Sequence, residues 1–306
     1  LVLLALPLWI TAIAHPQAAP VRREVEAISF LGDSLRRPTF PPETEARMLA
    51  QLRESEAIWA ANPDDADAAI WVGRRTAYLG RYGEAIGIFS IGLARHPQDA
   101  RFYRHRGHRY ITTRQLDRAI ADLSYAARLV QGKPDEVEPD GQPNARNIPT
   151  STLQSNIWYH LGLAYYLKGD FRNARIAFQR NLEVARNADT QVAVRHWLYM
   201  TLRRMGLDRE AAEVLRPVTR ELDIIENHAY HRLLLFYRGD LDETEVYGDA
   251  VSDAVQNATV AYGVGNWHLY HGRQDRALEI FRRIVPGGSW AAFGYIAAEA
   301  ELARAP

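Results

Sequence analysis

Between residues 156 and 182 the large apolar side chains stand three and four positions apart: Trp158, Leu161 and Tyr165, then, beyond Gly169, Phe171, Ala174 and Phe178. That is the spacing of one helix face, broken once by a glycine, and it predicts two helices joined by a tight turn. Neither helix buries its apolar stripe alone, so the pair needs neighbours of its own kind. The chain supplies them. Asn62-Pro63-Asp64-Asp65 and His96-Pro97-Gln98-Asp99 lie 34 residues apart, as do Ala85 and Ala119. A self-similar period of this length marks a helical repeat array.

The stretch NIWYHLGLAYYLKGDFRNARIAFQRNL resembles the tetratricopeptide repeat, whose 34-residue unit carries these residue types at positions 4, 7, 8, 11, 15, 17, 20 and 24. Small residues at positions 8 and 20 let the two helices approach, and a left-handed residue is cheap for glycine at position 15. The resemblance runs from about residue 40 to 304. It implies an all-α fold: a right-handed superhelical solenoid of about six helix-turn-helix units with a capping helix at each end. Position 20 falls at Ala85, Ala119, Ala174, Ala211, Thr244 and Ala277. The fourth unit lacks the aromatic set, and the fifth keeps only Gly239 and Leu241 of the pattern. Pro42 to Ala61 reads as the N-terminal capping helix and Ser289 to Arg304 as the C-terminal one, with Ser289 as its N-cap.

Ala119 and Ala174 are 55 residues apart, so the period is broken by a surplus at about 131–151. Its four prolines argue against a helix. Ser151 to Gln154 then reads as a capping box opening the third unit. A loop of this length inside a repeat array is either functional or an excursion. Folded over the groove, it would contribute Asn144, Arg146 or Asn147.

In tetratricopeptide proteins the first helix of each unit lines the concave surface. Carried over by position, the resemblance places Trp71, Arg74 and Tyr78 there from the first unit and Arg101, Arg104, His105 and His108 from the second. The third supplies Asn156, Tyr159, His160 and Tyr166, and the fourth His196, Trp197, Arg203 and Arg204. The fifth adds Glu226, Tyr230, Phe236 and Tyr237, and the sixth Tyr262, Asn266 and Tyr270. Arg106 stands where the consensus has Leu and calls for a carboxylate partner. The inferred groove holds five arginines and four histidines against one acid, while the chain's formal net charge is zero. Local positive charge between low-dielectric walls attracts an anion, and arginine forks suit carboxylate or phosphate. Overall neutrality gives no general attraction to nucleic acid.

Other chemistries have thinner support. Three His-x-x-His pairs occur, at 105/108, 228/231 and 268/271, but none carries the glutamate of an HExxH zinc site. FLGDSL at 30–35 is similar to the nucleophile block of GDSL-type esterases, yet that family's Asp-x-x-His is missing. The groove histidines would serve acid-base catalysis, but no nucleophile or orienting carboxylate is evident beside them. With no cysteine, disulfides and thiolate sites are excluded.

The run Leu1–Ala14 is apolar, too short to span a membrane, and ends in the small-x-small sequence Ala12-Ile13-Ala14. Together with the missing initiator Met, it reads as the remainder of a secretory signal peptide, and 15–40 as a flexible segment before a single solenoid domain at 41–304. Cleavage after Ala14 would expose His15, a copper-chelating terminus only if the fold adds a second histidine. The expectation is therefore an exported, periplasmic or secreted, non-enzymatic scaffold. Its partner would be a protein or peptide, or a small anionic ligand, held without a cofactor, metal or membrane span by Arg74, Arg101, Arg104, His105, His108, Asn156, Tyr159, His160, Tyr166, His196, Trp197, Arg203 and Arg204. The alternative is an enzyme or metal protein using the same histidines.

Overall fold

The computed structural model describes residues 24–247 and 254–305. The apolar run at 1–14 and His15 lie outside them. Helix α1 (Pro42–Ala61) begins the array. Helix pairs follow: α2 (Ala66–Tyr78) with α3 (Tyr82–Arg95), α4 (Ala100–Thr112) with α5 (Leu116–Val130), and α6 (Leu153–Lys168) with α7 (Phe171–Val184). Then come α8 (Ala188–Arg204) with α9 (Asp208–Leu215), α10 (His228–Arg238) with α11 (Glu243–Tyr247), and α12 (Ala254–Tyr270) with α13 (Gln274–Ile284). Helix α14 (Phe293–Arg304) follows. Among the described residues, no helix is long and apolar enough to cross a membrane.

The repeat is physical as well as textual. Position 15 adopts the left-handed conformation in every unit: Gly80, Arg114, Gly169, Gly206, Gly239 and Gly272 all have positive φ. Position 20 is sealed, since Ala85, Ala119, Ala174, Ala211 and Ala277 are fully buried. At position 8, a Cβ added to Gly162 or Gly265 would stand 2.5 Å from the rings of Phe178 and Phe281, each at position 24 of the same unit. The glycine is thus the space into which the second helix seats its aromatic ring. Arg106 finds the carboxylate it requires: Asp122 accepts from its Nε at 2.7 Å and its Nη2 at 2.9 Å.

Several boundaries differ from the sequence expectation. In the fifth unit the second helix starts at Glu243, two positions later than in the others, so Thr244 is exposed and Val246 takes the buried place. The third unit opens one residue later than expected, on a capping box of Thr152 and Ser155. Ser289 is not an N-cap. It lies in the turn that precedes α14, whose N-cap is Ala292, without a side-chain bond.

The described part of the segment expected to be flexible, 24–40, is ordered into an antiparallel hairpin. Strand β1 (Val25–Ile28) pairs with β2 (Ser34–Arg36), with Ala27 opposite Leu35 and Ile28 opposite Ser34. Too short to stand alone, it is held from the far end of the chain. Trp290 Nε1 donates to the Arg36 carbonyl (2.8 Å), and the Phe30 amide donates to Glu299 (2.5 Å). FLGDSL is the turn and second strand of this hairpin, with Ser34 exposed.

The C-terminal helix does more than cap. It packs on α12 and α13, then lies against the concave side of earlier units. Arg304 Nη1 donates to the Leu167 carbonyl (2.7 Å), Glu301 pairs with Arg204 (2.6 Å), and Glu299 pairs with Arg114 (2.7 Å). Residues Ile296, Ala297, Ala298 and Glu299 are almost wholly buried. The solenoid is closed upon its own last helix.

Candidate ligand cavity on the concave side

Several of the residues expected on the groove surface lie in the protein interior. Tyr166, His196 and Trp197 are fully buried and are corrected from ligand contacts to core. The Tyr166 hydroxyl bonds that of Tyr262 at 2.7 Å, and the His196 ring stacks on Tyr237 with centroids 5.8 Å apart. His105 is buried against Phe89, stacked at 5.5 Å.

The cationic clamp is also corrected, because the arginines are already engaged. Arg101 pairs with Asp99 (2.6 Å) and with Asp67. Arg104 pairs with Glu138 (2.9 Å) and donates to His105 Nδ1 (2.9 Å). Arg203 pairs with Asp208 (2.9 Å) and lies over the Tyr270 ring, while Arg204 holds Glu301. Arg74 donates to the Tyr78 hydroxyl (3.2 Å) and the Pro139 carbonyl (2.8 Å). Most of the neutralising acids stand on elements that the repeat frame does not place in the groove.

The surroundings of the four groove histidines, His105, His108, His160 and His196, favour the neutral ring. Burial, reinforced by neighbouring arginines, pushes His105, His108 and His160 well below the usual histidine range. Burial alone takes His196 down to about 3. Among the described residues, no group of three His, Asp or Glu is arranged to hold a metal ion. His231 bonds the Thr219 carbonyl (2.7 Å), His268 bonds Glu243 (3.0 Å), and His271 bonds the Trp267 carbonyl (2.8 Å), so these pairs serve separate local contacts.

The proline-rich insertion folds across the first helices. At one end Glu138 holds Arg104 and the Gly141 carbonyl accepts from Arg75 (3.0 Å). At the other, Arg146 pairs with Asp223 (2.7 Å), Thr150 donates to Glu226, and Asn187 donates to the Thr150 carbonyl (2.7 Å). Asn144 donates to the Ile148 carbonyl (2.7 Å) and reaches Glu226 at 3.4 Å, while Asn147 takes a left-handed turn conformation. Of the three residues named in advance, Asn144 and Arg146 act as latches.

Between this strap and α6, α8 and α10 remains a cavity of about 320 Å³. It brings together five of the predicted site residues: Arg104, His108, Asn156, Tyr159 and His160. Glu226 and Tyr230 line it as well. Sequence reasoning missed Asn181 from a second helix, Thr150 and Ser151 from the insertion, and Phe293 from the start of α14. The wall is aromatic: the His108 and His160 rings lie 4.2 Å apart, with Phe293 at 5.5 and 5.7 Å from them. Its rim is amide and hydroxyl. A volume of this size, apolar with a few converging polar groups, is in the lower range for small-ligand sites.

No protein-family profile and no curated protein matches this chain. Solved structures resemble its backbone. YrrB, described as a TPR protein with an unusual peptide-binding site, is 16% identical, with 78% of this chain and 95% of that one covered and a TM-score of 0.41. A tetratricopeptide repeat protein from Parabacteroides merdae ATCC 43184 is 14% identical over 83% of this chain and 94% of its own (TM-score 0.47). MamA is 14% identical over 67% and 100% (TM-score 0.44). The 34-residue period, the left-handed residue at position 15 and the sealed alanine at position 20 make this chain an all-α solenoid with the tetratricopeptide-repeat fold.

Proposed function

We propose that the protein is a non-enzymatic scaffold that binds a protein or peptide at the cavity beneath the insertion, rather than along the whole concave face. One observation carries this reading: α14 and the insertion pack against the first helices, and the cavity lined by Tyr159, Tyr230 and Phe293 lies between them. Its polar rim is held by paired or bonded groups, so it is preorganised, which lowers the ordering cost of binding. A location outside the cytoplasm rests on the apolar run Leu1–Ala14 and is part of the same proposal.

A peptide array probed with the wild type and with a Thr150→Trp variant tests the site. The new indole would fill the mouth of the cavity from the insertion. Array signals lost in the variant, with an unchanged far-ultraviolet spectrum and melting temperature, support the reading. Signals unaffected by the filled cavity would place recognition elsewhere on the solenoid.

A further inference from the structure

The polar groups around the cavity specify more than a shape. Of its two charged residues, Arg104 is neutralised by Glu138 at 2.9 Å, while the Glu226 carboxylate accepts only from the neutral groups of Thr150 and Asn144 and keeps its negative charge. His160 donates its Nδ1 proton to the Asn156 carbonyl (2.6 Å), so in the neutral ring Nε2 is left as a lone-pair acceptor. Asn181 donates its amide to the Ser155 carbonyl (3.1 Å), while its own Oδ1 has no partner among the described residues. These are acceptors awaiting a donor.

The tyrosines offer the reverse. Trp197 Nε1 donates to the Tyr159 oxygen (2.9 Å), and the Tyr159 and Tyr230 oxygens are 3.0 Å apart. One hydroxyl proton fills that contact, whichever ring supplies it. The other hydroxyl has its proton to spare, because burial raises both phenols and keeps them protonated. The cavity therefore presents spare acceptors and at least one spare donor, and its one cation, Arg104, is already paired.

Resting on the binding reading above, we infer that the cavity selects an uncharged group that both donates and accepts: the carboxamide of an asparagine or glutamine side chain in a peptide, in preference to a carboxylate. A carboxylate would bring only acceptors against the His160 Nε2 and Asn181 Oδ1 lone pairs. It would also lose water without gaining a free cation. A carboxamide meets both kinds of group, and sites with committed hydrogen-bond partners discriminate strongly against a ligand that leaves them unpaired.

The isosteric pair Ac-Gly-Gln-Gly-NH2 and Ac-Gly-Glu-Gly-NH2 separates the two chemistries. Each is titrated into the full chain at neutral pH and followed by amide NMR shifts at Asn156, Asn181 and Tyr230. The expected result is binding of the glutamine peptide at least about tenfold tighter than the glutamate peptide, and insensitive to salt. In Glu138→Gln, where Arg104 loses its partner, the ratio should move toward the glutamate peptide. Equal or tighter binding of the glutamate peptide by the wild type would overturn the inference and leave the binding site standing. Absence of shifts with either peptide at millimolar concentration would overturn the site along with it.

Discussion

Arg114 occupies a glycine position of the repeat, with φ of 64°, and from there it holds Glu299, which lies 185 residues further along the chain. Its Nε and Nη2 reach the two carboxylate oxygens at 3.2 and 2.7 Å, and both side chains are almost wholly buried. Nη2 also donates to the Trp290 carbonyl (2.9 Å), and Glu299 accepts in addition from the Phe30 amide. One residue thus ties the second unit, the hairpin and the last helix together. The left-handed backbone costs a non-glycine residue roughly 1–2 kcal/mol, a cost that the crosslink offsets.

Arg114→Gly should therefore destabilise the protein although it relaxes the backbone. Leaving a buried carboxylate without its partner costs about 3–5 kcal/mol, against roughly 1–2 kcal/mol recovered. Denaturant unfolding should show a net loss of a few kcal/mol. The double variant Arg114→Gly, Glu299→Gln should lose less than the two single variants added together. Additive losses would mean that the pair is not the connection.

Much of this architecture is legible in the sequence because the repeat is local. Ala85, Ala119 and Ala174 announce the helix contacts within one unit, and Gly169 and Gly206 announce the turns. What the sequence hides is whatever depends on residues far along the chain. The hairpin exists through Trp290 and Glu299, and the charge on Arg104 and Arg204 is cancelled by Glu138 and Glu301. A positional frame assigns arginines to the groove but carries no information on acids arriving from an insertion and a last helix. Signals were present: an arginine where five units have glycine, and two glutamates in the alanine-rich turns of α14.

The insertion should respond to the loss of Glu138. Glu138→Gln leaves the buried Arg104 guanidinium without a counter-charge and removes an anchor of the strap. Limited proteolysis should cut within 139–150 faster than in the wild type, and sulfate should slow that cleavage by supplying the missing anion. Unchanged cleavage would show that the latches Arg146–Asp223 and Thr150–Glu226 hold the strap without it.

The contact of Gly162 with Phe178 predicts a reciprocal pair. Gly162→Ala would place a methyl group 2.5 Å from the ring and should cost about 1–3 kcal/mol by overpacking, despite the better helix propensity of alanine. Phe178→Leu alone should also destabilise, through lost packing. Combined, the smaller side chain leaves room for the methyl group, so the double variant should be more stable than the sum of the two. Thermal unfolding of the four proteins measures the coupling, and strict additivity would deny the contact.

Acid stability follows from the buried histidines, with a definite sign. His196 is fully buried, its Nε2 has no hydrogen-bond partner among the described residues, and burial takes it from 6.5 down to about 3. Below pH 6.5 the unfolded chain takes up a proton that the folded chain refuses, so stability is lost as pH falls through the window from 6.5 to about 3. The slope for one such group approaches about 1.4 kcal/mol per pH unit. His105, His108 and His160 shift in the same direction and steepen the loss. His196→Phe keeps the ring stacked on Tyr237 and removes both the titration and the orphaned nitrogen. At neutral pH it gives up the 3.4 Å contact between Nδ1 and the Tyr237 hydroxyl, and relative to the wild type it should gain steadily as the solution is acidified. Urea unfolding at a series of mildly acidic pH values measures the difference, and parallel curves for the two proteins would show that His196 is not refusing its proton in the folded state.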